Sequence, residues 1–282
     1  MPRPTIEPIT GDTLPEFAVL LHAHLNGAFP VDTWIARLSA NWCKERPNFG
    51  FLLRDAGKVV GGIGAYYADR LIRGRPERFC NITSWCVLEA YRQQSMRLAM
   101  AIINQPGYHF TDFSPTVVVG GALKFLKFRP LDERQTVMLN LPWLPLCGRV
   151  VASPAQIEQT LTGDALHVYR DHAKFAWLRH VLVGDADGWC HVIYKRRQYK
   201  ALPSAHVMYL SDPQLFGRHW RRLSAHLLAR GMVSTHVESR FLVGDCRPSG
   251  VRSGFNPKLY LSATLAAADI DYLYSETMAL DL

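Results

Sequence analysis

The segment Trp85–Asn104 reads WCVLEAYRQQSMRLAMAIIN, and its two ends belong to different secondary structures. A β-rich run ends in Val87-Leu88, a turn follows, and Arg92 leads a small polar group. Helical spacing then runs over Arg92–Asn104 until Pro106-Gly107 stops it. A strand that feeds a helix in this way brings open backbone amides and the positive end of the helix dipole to one place. Both favour a bound diphosphate.

Outward from this segment, strand-like and helix-like runs alternate. Upstream, Thr5–Ile9 reads as a strand, and Leu14–Leu25 and Val31–Trp42 as helices. Phe49–Arg54 and Lys58–Tyr67 form a hairpin about Asp55-Ala56-Gly57, and Phe79–Leu88 is a further strand. Gly61-Gly62-Ile63-Gly64 lies inside a strand run, not between strand and helix, which argues against a dinucleotide loop. Downstream come a strand over Tyr108–Phe113, a helix over Thr116–Lys127 and a closing strand over Gln135–Leu141. Leu141–Pro154 holds three prolines and a glycine and reads as a linker, with Trp143 and Leu144 packed rather than free. The second half repeats the grammar. Ala155–Leu161 and Asp164–Lys174 are helical, Trp177–Val183 and Trp189–Arg196 form a hairpin, and Ala205–Leu210 is a strand. Pro213–Arg230 is an amphipathic helix with Phe216, Trp220, Leu223 and Leu227 in one stripe. Strands over Ser234–Leu242, Pro257–Ser262 and Ile270–Leu280 follow, with a Gly/Pro-rich loop at Asp245–Asn256.

The 282 residues are 48% hydrophobic and 20% charged, which is enough for a packed core and excludes wholesale disorder. The net charge of +8 suits an anionic partner, yet each half carries 16 Lys and Arg against 12 Asp and Glu. With no basic tail and only small basic clusters, nucleic acid is not an expected partner. No apolar run approaches the roughly 20 residues that span a bilayer, and MPRPTIEPITGD has no apolar signal region. Six scattered cysteines without a C-x-x-C predict reduced thiols in a cytoplasm, and no metal.

On these residues the chain resembles the GNAT superfamily of acyl-CoA-dependent N-acyltransferases. The likeness is to the family's V-x-P-x-Y-R-x-x-G-x-G strand-to-helix signature. Val87, Tyr91 and Arg92 match it, Glu89 replaces the proline, and Ser95 and Arg97 stand where the family has glycines. Lys58–Tyr67 looks like the family's third strand, and Tyr108–Phe128 like its fifth strand and fourth helix, with Leu123 at the usual place of an acid tyrosine. The resemblance covers about residues 1–140 and extends more faintly to the second half, whose Asp212-Pro213 loop lacks the phosphate fingerprint.

The fold it implies is α/β (α+β): two tandem domains, 1–141 and 155–282 about a linker at 142–154, each a mixed, mostly antiparallel sheet flanked by helices. The implied co-substrate is acetyl-CoA or another acyl-CoA, held in the first domain by Cys86, Val87, Arg92, Gln93, Gln94, Ser95, Met96, Arg97 and Leu98. Asp112 and Ser114 fall where that fold places acceptor-side groups, or else cap a turn before Pro115. His236, Glu238 and Arg240 alternate along a strand and line an acceptor pocket, with Glu238 as base, or else form a half-solvated face. The implied activity is acyl transfer to a small-molecule or peptide amine. The alternative is a non-catalytic binding or scaffold protein of the same fold.

Overall fold

The computed structural model describes residues 3–144, 147–243 and 249–281. They form two compact units. One comprises residues 1–131, 256–270 and 274–282, the other 132–255 and 271–273. Each is built on one seven-stranded sheet.

The first unit contains β1 (Thr5–Pro8), α1 (Leu14–His24), α2 (Val31–Leu38), β2 (Gly50–Asp55), β3 (Lys58–Ile72) and β4 (Arg75–Val87). A 3-10 helix over Glu89–Gln94 leads into α3 (Ser95–Ile103), then β5 (His109–Asp112), α4 (Val117–Phe125) and β6 (Arg129–Pro130). Alternation along β3 divides the layers. Ile63, Ala65 and Tyr67 face Leu98 and Ile102 of α3 and Leu123 of α4, while Tyr66 points the other way and donates to the Arg37 carbonyl at the end of α2. The glycine-rich stretch serves packing. A Cβ on Gly62 would lie 2.5 Å from the ring of Phe17, so its absence lets α1 settle on the sheet. Gly50, at φ 118°, passes so close to β3 that a Cβ would meet the Ile63 carbonyl at 1.9 Å.

The second unit contains β7 (Gln135–Leu139), β8 (Arg149–Val151), α5 (Pro154–Thr160), α6 (Gly163–Ala173), β9 (Leu178–Asp185), β10 (Gly188–Tyr199), β11 (Leu202–Leu210), α7 (Pro213–Leu228), β12 (Ser234–Glu238) and β13 (Gly250–Arg252). The α7 stripe packs as its spacing predicts, with Phe216, Trp220, Leu223 and Leu227 against Val181, Val183, Val192 and Val207 of the sheet. Two late elements, β14 (Leu259–Leu261) and α8 (Glu276–Ala279), belong to the first unit.

The strand orders are β1-β2-β3-β4-β5-β14-β6 and β13-β7-β12-β11-β10-β9-β8. Among the described residues one pair in each sheet is parallel, β4 with β5 and β11 with β12. The mixed, mostly antiparallel α/β architecture is therefore as expected, but the division of the chain is not. Gln135–Leu139, read as the closing strand of a first domain ending at 141, pairs with β12 and β13 of the second sheet. Its place beside β5 is taken by β14, from the far end of the sequence. The stretch read as a linker contributes β8, paired with Leu182–Gly184, and Trp143 lies against Arg221.

Ile270–Leu280 is not a strand. It forms a turn with Tyr274 at φ 64°, followed by α8, and its backbone bonds to side chains, with Glu276 N–H donating to Asn81 Oδ1 at 2.7 Å. The strand read over Ser234–Leu242 stops at Glu238, and the helix read over Val31–Trp42 stops at Leu38. Cys246 and the start of the loop read at Asp245–Asn256 lie outside the described residues.

Candidate functional site

β4 and β5 pair only at Phe79–His109, Cys80–Phe110 and Asn81–Thr111. Beyond Asn81 the two strands part. β4 continues to Val87 and bulges, placing Ser84 and Trp85 opposite the single residue Ile63 of β3, with Ser84 at φ 50°. β5 ends one residue later, at Asp112. Between them is a cavity of about 360 Å³. Thr83, Ser84 and Trp85 line one side and Asp112, Ser114 and Thr116 the other, with Leu25 and Trp34 completing an apolar wall. Thr116 caps α4 by accepting from the Val119 amide, and Leu123 of that helix is sealed in the core.

One carboxyl, Asp112, lines the cavity, and a second, Glu276, neighbours it. Asp112 is 5% exposed, and Glu276, from α8, is completely buried. Glu276 Oε1 accepts from the Phe113 amide at 2.8 Å and from Ser114 Oγ at 3.0 Å, while Asp112 Oδ1 accepts from the Ser114 amide at 3.2 Å. Glu276 Oε2 is buried without a hydrogen-bond partner. Burial raises the Asp112 pKa well above the ordinary carboxylate range, the neighbouring Glu276 raises it further, and the Ser114 amide opposes both. Burial also raises Glu276, against hydrogen bonds from Phe113, Asn81 and Ser114. Two acids held this way favour a shared proton and leave one group able to accept another. Asp112 thus caps the turn before Pro115, the alternative reading of these residues, and Ser114 links it to an acid that sequence reading missed. The available signal was a lone Glu in the apolar run YLYSETMAL.

The strand-to-helix segment departs from an open phosphate loop. The amides of Tyr91 and Ser95 donate to the carbonyls of Leu88 and Arg92 within the 3-10 helix. Tyr91 OH reaches Asp55 Oδ2 at 2.7 Å and anchors the β2–β3 turn. Arg97 Nη1 donates to the Pro4 carbonyl at 2.8 Å and to Gln94 Oε1 at 3.1 Å, so its guanidinium serves the fold. Cys86 and Leu98 are buried, and Val87, Ser95 and Met96 are half-buried. Arg92 and Gln93 stand exposed, Arg92 paired with Glu89 at 2.7 Å. The first turn of α3 contains no acid and no side-chain cap, but the 3-10 helix runs straight into it and the Arg92 carbonyl takes up the Ser95 amide.

Glu238 lies in the second unit and is 2% exposed. It accepts from Arg240 Nε at 2.8 Å and from the Tyr272 hydroxyl. The stripe read there is no half-solvated face, because every residue of β12 is buried. His236 stacks on His206 with ring centres 4.5 Å apart. The structure therefore unites Asp112 with Ser114 and engages Glu238 in an ion pair within the other unit. Among the described residues no group of three His, Cys, Asp or Glu side chains could hold a metal, and no helix is long and apolar enough to cross a membrane.

No protein-family model and no curated protein sequence matches the chain. Solved structures do. A GCN5-related N-acetyltransferase from Anabaena variabilis matches with a TM-score of 0.58 at 9% identity, covering 92% of this chain and 72% of that one. One from Kribbella flavida gives 0.59 at 12% identity over 91% and 71%. Eis1 from Mycobacterium abscessus gives 0.53 at 14% identity over 91% and 73%. With two mixed sheets, each holding a parallel pair, the chain has the fold of the GCN5-related N-acetyltransferases, in tandem.

Proposed function

We propose that the chain is an acyltransferase moving an acyl group, most simply acetyl, from acyl-CoA to the amine of a small molecule or peptide. The observation that carries this reading is the buried carboxyl pair at the open end of β4 and β5, in a sheet of N-acetyltransferase fold. The pyrophosphate of the donor would lie over residues 93–98, near exposed Arg92 and Gln93 and the start of α3. The backbone amide of Val87 would polarise the thioester carbonyl. A neutral amine attacks that carbon, so a C–N bond forms as the C–S bond breaks. The nitrogen's proton passes to Asp112, directly or through water, and the departing CoA thiolate takes a proton from solvent, to which Asp112 later returns its own. Burial, with Glu276 beside it, raises the Asp112 pKa and strengthens it as a base. Apolar walls from Leu25, Trp34 and Trp85 suit an acceptor with a hydrophobic body. We also place the chain in the cytoplasm, a reading supported by five free cysteines among the described residues.

The second reading, a non-catalytic binding or scaffold protein, draws on the engaged amides of Tyr91 and Ser95 and the engaged Arg97. Titration of the full chain with acetyl-CoA by calorimetry, paired with free-thiol detection across a panel of amines, separates the two. Catalysis requires one acetyl-CoA per chain and thiol release with at least one amine. Absence of binding up to millimolar acetyl-CoA establishes the scaffold reading.

A further inference from the structure

In the second unit, β8 pairs with β9 only at Leu182, Val183 and Gly184. The edge of β9 from Leu178 to Val181 therefore has no strand beside it, and the chain turns away through Pro154 into α5. A cavity of about 530 Å³ opens along this edge, within the range of small-molecule sites. Its two walls differ because β9 alternates. On the face shared with α7 lie Arg179, Tyr194 and Arg196, with Arg179 directly opposite Tyr194 across the pair, and Arg230 joins them from the end of α7. On the other face lie Ile157, Tyr169 and His180, with Phe175 and Leu178 nearby.

The charges in this cavity have one sign. Three exposed guanidiniums, Arg179, Arg196 and Arg230, line it together with the buried Tyr194, whose hydroxyl burial makes less acidic and their charges make more so. Among the described residues no Asp or Glu lines the space. Of the three, Arg230 bonds to another side chain, the ring of His226 at 3.0 Å, so no carboxylate neutralises it there. His180 lies edge-on to Tyr169 at 5.1 Å, and its Nε2 is buried without a hydrogen-bond partner. Three cations beside an apolar, aromatic wall fit a ligand with a dianionic head and a hydrophobic body.

We propose that this cavity is a binding site for a phosphomonoester with an aromatic or aliphatic body. Its phosphate would be held by Arg179, Arg196 and Arg230 and its body by Ile157, Tyr169 and Phe175. The site is separate from the β4–β5 cavity and does not depend on the activity assigned there.

Calorimetry on the full chain with phenyl phosphate, inorganic phosphate and phenol tests this. Phenyl phosphate should bind at least about tenfold more tightly than inorganic phosphate, phenol should not bind, and affinity should fall as salt rises. Arg179→Ala with Arg196→Ala should weaken phenyl phosphate by at least about tenfold. Both side chains are exposed, so an unchanged far-UV spectrum will show that the variant is folded. Arg218→Ala, whose side chain pairs with Asp187 outside this cavity, should leave the affinity unaltered. Saturating acetyl-CoA should not compete. Competition, equal affinity in the double variant, or no heat up to about 10 mM phenyl phosphate, weaker than the millimolar range where specific binding starts, would each overturn the assignment.

Discussion

The two units place an acid at the same point of their architecture and give it opposite company. In the first, the last residue of β5, beside the parallel pair, is Asp112, and its charged neighbour is another carboxyl, Glu276. In the second, the last residue of β12 is Glu238, and its neighbours are the Arg240 guanidinium and the Tyr272 hydroxyl. The helices that follow the preceding strands differ in the same sense. α3 begins without a side-chain cap, whereas Asp212 caps α7 by accepting from the amides of Gln214 and Leu215 at 2.8 and 2.9 Å. The second unit supplies both its anion seat and its acid with internal partners. The first joins α3 to a 3-10 helix without a side-chain cap and puts two like-charged groups together, an arrangement that costs stability.

The largest effect should come from Asp112→Asn. Thiol release should drop by about 10²–10⁴-fold while acetyl-CoA binding is kept. If Glu238→Gln caused a comparable loss of turnover per folded molecule, the comparison would fail and the second unit would be catalytic. The expected result for Glu238→Gln is loss of stability, about 3–5 kcal/mol in urea denaturation, because a largely buried guanidinium loses its counter-charge.

Glu276→Gln sharpens the contrast. Without that repulsion the pKa of Asp112 falls, so the acid limb of kcat/KM should move to lower pH. A limb that stays in place removes Asp112 as the titrating group.

The pH dependence of stability should also differ between the units. Folding raises the pKa of Asp112 and Glu276, so their contribution is complete below the ordinary carboxylate values and fades as pH rises through the folded ones. In the second unit, burial lowers His180, His226 and His236 to about 4 and His191 to about 3. Their contribution is complete above the free imidazole value near 6.5 and is lost as pH falls towards 4. Hydrogen exchange at pH 7 and pH 4.5, corrected for intrinsic rates, should show protection falling in β9–β12 and holding in β3–β5. Parallel loss in both would contradict the assignment.

The smallest effect concerns the caps. Asp212→Ala should cost about 0.5–2 kcal/mol in thermal unfolding, and Ser95→Ala almost nothing, since no side chain caps α3.

Much of the first unit was legible because its signals are local. The Lys58–Tyr67 run, the Trp85–Asn104 segment and the helix beginning at Thr116 each follow from neighbouring residues. Asp112 was also within reach, because it ends a recognisable strand. Glu276 was not. Its bond to the Phe113 amide spans 163 residues, and no periodicity reports such a contact. Ile270–Leu280 misled because Tyr272, Leu273, Tyr274, Ser275 and Glu276 are all buried regardless of parity, which removes the two-residue period that marks a strand. The exchange of β7 and β14 left no trace either. Gln135–Leu139 has the same alternation whichever sheet receives it.

That exchange bears on how the chain matures during synthesis. When residue 141 leaves the ribosome, the first sheet still lacks β14, and β5 offers a bare hydrogen-bonding edge until Leu259–Leu261 arrives. Glu276 follows later still, so the first unit acquires its pair of buried acids only after residue 276 has been translated. Until β14 arrives the nascent first unit carries an exposed strand edge, which is a template for pairing with the wrong partner.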